Sequence, residues 1–252
     1  MAFETDRQSL GRGYGATLGR EAVQIDVGLR QYMLRVYNYM ASGLFLSGFV
    51  ALLVANTGAR DIFFRVSETG RLGYTGLGLV AVFAPIGLIL AMSFGANRMK
   101  TATLQACYWA FVALMGVGLS VALLAYTGAS VTRVFFITAL SFGALSLYGY
   151  TTKRDLSAWG TFLFMGVIGL MIASIVQIFV QSAAMHFVIS LVGVLLFAGL
   201  TAYDTQSIKN QYLTIRGSTM EESSAVMGAV SLYLDFINLF QFLLSFLGVR
   251  RE

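Results

Sequence analysis

The sequence predicts an all-α polytopic membrane protein with seven transmembrane helices. Of its 252 residues, 57% are hydrophobic and only 12% are charged, and the mean hydropathy is +0.75. A soluble globular protein carries about 25% charged residues, so this chain has too few to cover a surface that faces water. The composition therefore disfavours a soluble enzyme, a nucleic-acid-binding protein and a disordered protein, and it makes the lipid bilayer the first expected partner.

Residues 1–35 are interpreted as a cytoplasmic N-terminal arm that precedes a transmembrane domain over residues 36–252. The arm mixes arginines with acidic residues and glycines, and no apolar core precedes a cleavage site, so it is not typical of a signal peptide. Its glycines do not complete a dinucleotide-binding pattern, because Leu18 stands where G-x-G-x-x-G counted from Gly13 needs its third glycine.

Seven apolar runs separated by polar residues predict the seven spans. Most are near the ~20 residues that cross the hydrocarbon core, and they are rich in the small residues of packed membrane helices. Pro85, in the second run, is expected to kink its helix. The runs cover residues 36–55, 77–96, 104–126, 134–150, 159–180, 186–203 and 226–249.

The distribution of lysine and arginine predicts which side the arm faces. The net charge is +5, and cytoplasmic loops of membrane proteins collect basic residues. The loops predicted on the side of the arm contain Arg98, Lys100, Lys153, Arg154, Lys209 and Arg216, whereas the other side contains Arg60, Arg65, Arg71 and Arg133. A cytoplasmic N-terminus follows. Arg250 and Arg251 leave the side of the C-terminus open, since a re-entrant last segment would return them to the inside.

Single reactive residues argue against an enzyme and against a resident cofactor. Cys107 is the only cysteine and His186 the only histidine, so an intrachain disulfide or zinc cluster cannot form. The three lysines all lie at helix ends, which excludes the Schiff base of a retinal protein. Residues 144–147 do not supply the Gly-x-Ser-Gly box of a membrane serine protease. No cofactor is predicted.

Two carboxylates stand out because they fall in or beside apolar runs. Asp235 lies within the last run and Asp204 ends the sixth. A carboxylate at bilayer depth costs several kcal/mol, so such a residue suggests function. The structural alternative is that Asp204 caps its helix at the interface and that a neighbouring hydroxyl binds Asp235.

Helical spacing places polar neighbours beside each aspartate. Ser231 and Asn238 share a helical face with Asp235, and Thr201 and Ser207 lie along one side of the sixth helix with Asp204. Both faces should point inward, because lipid offers no hydrogen bonds. The last helix is therefore expected at the centre of the bundle. Consecutive helices are antiparallel neighbours, so the two aspartates should form a pair in the cytoplasmic half.

Such a pair has a definite chemistry. Burial disfavours the charged form of each carboxyl and a second carboxylate disfavours it further, so the pair should hold one proton near neutral pH, and its titrations belong to the pair as a whole. When it is deprotonated and open, the oxygens of Asp204 and Asp235 are ligands suited to Ca²⁺. An intramembrane aspartyl protease is the rival interpretation, but there the second aspartate follows Gly-x-Gly, whereas Asp235 follows Tyr233 and Leu234.

Three segments resemble the transmembrane Bax inhibitor motif (Bax inhibitor, or lifeguard) family. Leu-Tyr-Leu-Asp-Phe-Ile-Asn-Leu-Phe at 232–240 resembles its last-helix signature, and Tyr-Asp-Thr-Gln at 203–206, followed by Ile-Lys, resembles its sixth-helix motif. Thr-Lys-Arg-Asp-Leu-Ser at 152–157 resembles the loop between its fourth and fifth helices. The similarity covers roughly residues 30–250. Residues 29–44 look most like bacterial members, which favours a bacterial inner membrane.

The resemblance implies a seven-helix bundle with a central last helix that acts as a pH-sensitive calcium leak, with Asp204 and Asp235 as the sensor and gate. It also implies a basic residue after the second helix that latches the pair when closed. Asn97 aligns near that position, so Arg98 is the best candidate. The alternative function is a non-conducting membrane regulator that binds a membrane protein such as a quality-control protease.

Overall fold

The chain folds into a bundle of long helices. The computed structural model describes residues 2–66, 72–96 and 98–251, and their side chains over residues 27–65, 73–96 and 98–251. The elements are α1 (Ala2–Asn56), α2 (Arg60–Phe63), β1 (Phe64–Val66), β2 (Leu72–Tyr74), α3 (Gly76–Gly95), α4 (Thr101–Ala125), α5 (Gly128–Thr151), α6 (Ser157–Val180), α7 (Ala183–Ile215) and α8 (Glu221–Leu247).

Seven of these helices are long and apolar enough to cross a membrane. They are α3 to α8 and the Val27–Asn56 part of α1. The predicted all-α polytopic membrane fold is therefore confirmed. Within the described residues, the only sheet is the antiparallel hairpin of β1 and β2, which joins α2 to α3 and was not predicted.

Two boundaries differ from those predicted. α1 is continuous through residue 35, and Leu29, Tyr32 and Met33 are already buried in the core, so the last part of the predicted arm belongs to the bundle. The side chains of the first 26 residues lie outside the described part. α7 continues eleven residues beyond Asp204, and its end packs Ile208 and Tyr212 into the core. Asp204 therefore does not cap a helix.

The last span, α8, is the central helix, as predicted. It packs against α1, α4, α5 and α7, and most of its residues are buried. Tyr233 meets the ring of Phe111 on α4 with centroids 5.4 Å apart, and Phe236 meets Phe142 on α5 at 5.5 Å. A helix enclosed on several sides can carry a polar group in its middle without exposing it to lipid.

The chain after α8 lies at the opposite face of the bundle from the α7–α8 loop. The backbone N–H of Thr127 donates to the carbonyl of Val249 (3.0 Å), and the N–H of Arg251 donates to the carbonyl of Ala125 (2.9 Å). These bonds hold residues 249–251 on the turn between α4 and α5. α8 therefore crosses the whole bundle, and the re-entrant alternative is wrong.

Candidate functional site

The structure brings Asp204 of α7 and Asp235 of α8 together. Their carboxyl groups are close neighbours. Asp235 is only 4% exposed, whereas Asp204 is half-buried. Asp235 lies about 20 Å along α8 from its first residue, at 1.5 Å per residue, which is near the middle of the helix. The carboxyl pair therefore occupies the interior of the bundle at membrane depth.

The pair has few other partners. Asp235 Oδ2 makes no hydrogen bond within the part of the chain that the structure describes. Neither carboxylate has a lysine or arginine in ion-pair contact among the described residues. Two negative charges at this spacing would repel each other, so a single shared proton fits the site better than full ionisation.

The four predicted supporting residues do not hydrogen-bond to the aspartates among the described residues. Thr201 Oγ1 donates to the Phe197 carbonyl (2.8 Å), and Asn238 Nδ2 donates to the Leu234 carbonyl (2.8 Å). Both are bonds to the helix's own backbone four residues earlier, which satisfy a polar side chain locally. Ser207 is exposed and Ser231 is half-buried. A shared helical face therefore did not produce contact.

A chain of hydroxyls that the sequence reasoning missed passes beside the pair. The Tyr37 hydroxyl of α1 bonds Ser146 Oγ of α5. Ser146 Oγ in turn lies 2.9 Å from Thr205 Oγ1, on the residue that follows Asp204. The chain links three helices at the level of the site. Its only signal in the sequence is the presence of small hydroxyl residues within apolar runs.

A second hydroxyl contact fixes α8 just before Asp235. Ser47 Oγ of α1 is fully buried, lies 2.6 Å from the Tyr233 hydroxyl and donates to the Val112 carbonyl of α4 at 2.6 Å. These bonds tie α8 to two neighbours two residues away from the carboxyl. They fix the rotation of α8 and with it the direction in which Asp235 points.

Two of the sequence motifs contact each other. Gln206 Nε2 donates to the Arg154 carbonyl (2.8 Å), and Gln206 Oε1 accepts from the Leu156 N–H (2.8 Å). Lys209 Nζ donates to the Tyr150 carbonyl at 2.7 Å. The segment of α7 that begins with Asp204 therefore holds the loop between α5 and α6. In that loop, hydrogen bonds from Ser157 lower the pKa of Asp155.

Arg98, the predicted latch, lies on the turn between α3 and α4. It is exposed, its backbone N–H donates to the Gly95 carbonyl (2.8 Å), and it makes no ion pair with Asp204 or Asp235 within the described residues. Asn97, the position that aligned with the expected basic residue, lies outside the described part. The latch stays a prediction that this conformation does not display.

A different cation meets an acid on the central helix. Arg35 Nη1 of α1 donates to Glu222 Oε2 of α8 at 2.6 Å, and Glu222 Oε1 accepts from the Tyr39 hydroxyl at 2.8 Å. Gln105 of α4 donates to the same tyrosine oxygen (2.7 Å). We call these four residues the Glu222 cluster. It joins α1, α4 and α8 at the first turn of α8, directly after the α7–α8 loop.

The carboxyl pair by itself supplies only part of a calcium coordination shell. Within the described residues, no three His, Cys, Asp or Glu side chains cluster as a metal site would require. Calcium takes six to eight oxygen ligands, and two carboxylates supply at most four, so water or hydroxyls would have to complete the shell.

The fold and the site define the class: a seven-span membrane protein whose central helix holds one aspartate against a second aspartate on a neighbouring helix. The chain belongs to the Bax inhibitor family, since the family model "Inhibitor of apoptosis-promoting Bax1" matches residues 29–252. The predicted membership is confirmed.

Bacterial relatives extend over almost the whole chain. An uncharacterized protein of Caulobacter vibrioides is 49% identical over 246 residues, which are 96% of this chain and 98% of the relative. The uncharacterized protein RP147 of Rickettsia prowazekii is 44% identical over 90% of this chain and 93% of its own length. The inner membrane protein YbhL of Escherichia coli is 40% identical over 91% of this chain and 96% of its own.

Proposed function

We propose that this protein is a pH-sensitive calcium leak, and not an enzyme, in which Asp204 and Asp235 form the sensor and gate. The observation that carries the proposal is the position of Asp235: it is almost fully buried in the central helix, with a second carboxyl as its partner. A group that is so costly to bury, and that no cation neutralises among the described residues, is suited to respond to protons.

The direction of gating follows from electrostatics. With one proton shared, the two carboxyls hydrogen-bond and hold α7 against α8. When that proton is lost, two negative charges about 4 Å apart repel by about 4 kcal/mol at an effective dielectric of 20. This is comparable to the free energy that shifts a two-state equilibrium from closed to open. The pair should part, and the leak should increase, as pH rises.

Calcium is proposed as the transported ion and as a competitor of the proton. Deprotonated carboxylates are hard oxygen ligands, the type that calcium prefers. A pair that binds either a proton or a calcium ion would couple cation entry to pH. Calcium is cargo in this proposal, and no resident cofactor is needed.

The proposed location is the bacterial inner membrane, with the N-terminus in the cytoplasm. The Escherichia coli relative is named an inner membrane protein, and Lys100, Lys153 and Lys209 all lie at the face of the bundle where the α7–α8 loop lies. A reporter that works only outside the cytoplasm should be active when it is fused after Arg65, between the first two spans. A reporter that works only in the cytoplasm should be inactive there, and the opposite pattern would contradict the proposed orientation.

Calcium flux into liposomes that contain only this protein tests the function. We expect flux to rise between roughly pH 6 and 8, the range in which buried carboxyl pairs lose a shared proton. Protein-free liposomes set the background. Flux that stays flat or falls over this range, in folded protein, would overturn the gating proposal. Complete absence of flux would favour the alternative function, a regulator that binds a membrane protein such as a quality-control protease.

A further inference from the structure

An open groove runs between α1 and α5. Over their described residues these two helices do not pack closely, although each packs against α8. The bond between Tyr37 and Ser146 bridges the groove. A cavity of about 560 Å³ occupies the part near the start of the first span, and a second of about 430 Å³ continues from Leu44, which lines both. Phe236, Ile237 and Phe240 of central α8 line the second cavity.

The lining of the first cavity combines an apolar channel with a cation at one end. Arg30 is the only charged residue that lines it within the described part of the chain, and Tyr37, Ser146 and Tyr150 supply hydroxyls. Arg30 lies six residues before the apolar run of residues 36–55, about 9 Å along the helix, which places it at the depth of the lipid headgroups. Lys209 adds a second positive charge there, with Nζ 5.3 Å from the centre of the Tyr150 ring.

We propose that this groove binds one phospholipid with an anionic headgroup, with its phosphate at Arg30 and an acyl chain along the groove. The charge at the mouth complements a phosphate, and the apolar walls complement a hydrocarbon chain. A helix of a second copy or of another protein fits poorly, because a helix is 10–12 Å wide and about 560 Å³ would hold only roughly one turn.

The bound lipid would touch the neighbours of both aspartates. Ser146 lines the groove and bonds Thr205, the residue after Asp204, and Phe236, the residue after Asp235, lines its continuation. The lipid would therefore contact the surroundings of the pair. The binding proposal itself does not depend on ion conduction, and its test does not measure flux.

Glycine and alanine positions allow the groove to be filled without disturbing the core. Gly143 lines the first cavity, and no atom lies within 4 Å of a Cβ added there, so Gly143→Leu should place its side chain in the groove. Ala41 is exposed on the facing wall and provides a second variant, Ala41→Phe. Gly169 of α6 also has open space around an added Cβ and does not line the groove, so Gly169→Leu is the matched control.

Thermal unfolding of the detergent-purified full chain tests the proposal. Phosphatidylglycerol or phosphatidylcholine with identical acyl chains is titrated in, and native mass spectrometry counts bound lipid. A ligand that binds only the folded state raises the unfolding midpoint, and we expect a rise of several degrees with phosphatidylglycerol and a smaller one with phosphatidylcholine. Arg30→Gln should remove the difference between the two lipids.

The filling variants decide where the lipid lies. Gly143→Leu and Ala41→Phe should lose the response to both lipids, and Gly169→Leu should respond as the wild type does. Equal responses of the wild type to both lipids would overturn the selectivity for an anionic headgroup. A full response in folded Gly143→Leu and Ala41→Phe, or a lipid-independent dimer that either variant dissociates, would overturn the lipid as the occupant of the groove.

Discussion

The central helix α8 carries two acidic sites that contrast in their surroundings. At the Glu222 cluster, the carboxylate accepts hydrogen bonds from Arg35 and Tyr39. Glu222 also lies in the first turn of α8, where the helix dipole favours negative charge. At the other site, Asp235 lies in the middle of the same helix, beyond the reach of the dipole, and its partner is another carboxyl.

The difference shows why two acids on one helix should have different functions. Donors from α1 and α4 satisfy the oxygens of Glu222, so this side chain fastens α8 to its neighbours. Asp235 is buried beside a second carboxyl, so in the proposed function its state depends on a proton shared with Asp204. The first site is a structural attachment, and the second is suited to switching.

The largest expected effect comes from the carboxyl pair. Asp204→Asn or Asp235→Asn leaves one acid without its carboxyl partner, so the coupled titration disappears while the amide preserves shape. We expect a change in calcium leak of at least about tenfold between pH 6 and 8 in the wild type, which corresponds to ~1.4 kcal/mol, and a change of less than about twofold in each variant. Flux from liposomes at stepped pH measures it.

Asp61→Asn is the matched control for this prediction. Asp61 lies in α2, at the opposite face of the bundle from the Glu222 cluster, and is exposed. It should keep the wild-type pH profile. If both pair variants also keep that profile, Asp204 and Asp235 are structural, and the contrast with Glu222 is lost.

The Glu222 cluster should affect stability and leave the pH response unchanged. Arg35→Gln and Glu222→Gln each remove a charged hydrogen bond, but the two side chains are 40% and 31% exposed, so solvent screening reduces the loss to about 1 kcal/mol in unfolding free energy. Thermal or denaturant unfolding of both single variants and the double variant measures the coupling between the two residues.

The same variants test whether the cluster takes part in gating. If Arg35→Gln shifts the pH at which the leak rises, then Arg35 acts on the carboxyl pair, and the two sites are not separate. An unchanged pH profile with a lowered midpoint of unfolding would support the assignment of the cluster as a structural attachment.

Arg98→Ala should have a smaller effect on the leak. If Arg98 reaches the pair in another conformation and neutralises one carboxylate, its removal should enlarge the leak at neutral pH. The side chain is exposed in this structure, so we expect only about a twofold increase. Lys100→Ala, on the same turn, is the control. Equal effects of the two variants would indicate a general surface potential and no specific latch.

The arrangement of the spans was predictable because it depends on composition and periodicity. Apolar runs locate the helices, and the polar face around Asp235 requires α8 to be enclosed. These are properties of single helices, and antiparallel connection then brings Asp204 and Asp235 to the same half of the bundle. The end of α7 was missed because residues 205–212 are polar enough to suggest a loop. In the structure, Gln206 bonds the α5–α6 loop and Lys209 bonds the end of α5.

The contacts around the pair were not predictable in the same way. Thr201 and Asn238 share a face with an aspartate, but each bonds its own backbone, and sequence spacing fits either outcome. Ser146 contacts Thr205 from a helix that is not adjacent in the chain, and this depends on how α5 is rotated against α7. Gly149 of α5 packs against the Ala202 backbone with no room for a Cβ, and this approach brings the two helices close.

The smallest expected effect concerns Asp155, an exposed acid whose only clear role is local. Its Oδ1 accepts the Ser157 backbone N–H (2.9 Å) at the first residue of α6, and hydrogen bonds from the Ser157 side chain and backbone lower the pKa of Asp155. A carboxyl whose pKa is lowered in the folded state stabilises that state above its unfolded pKa of about 4, and the contribution disappears as pH falls through the lower folded value. Asp155→Ala should therefore lower the unfolding midpoint slightly at pH 7 and match the wild type in strong acid, with Asp61→Ala as the control. If the difference in unfolding midpoint between Asp155→Ala and the wild type persists unchanged after the carboxyl is protonated, the Asp155 side chain acts through packing. The charge on this carboxylate, unlike that of Glu222, would then contribute nothing to the stability of the fold.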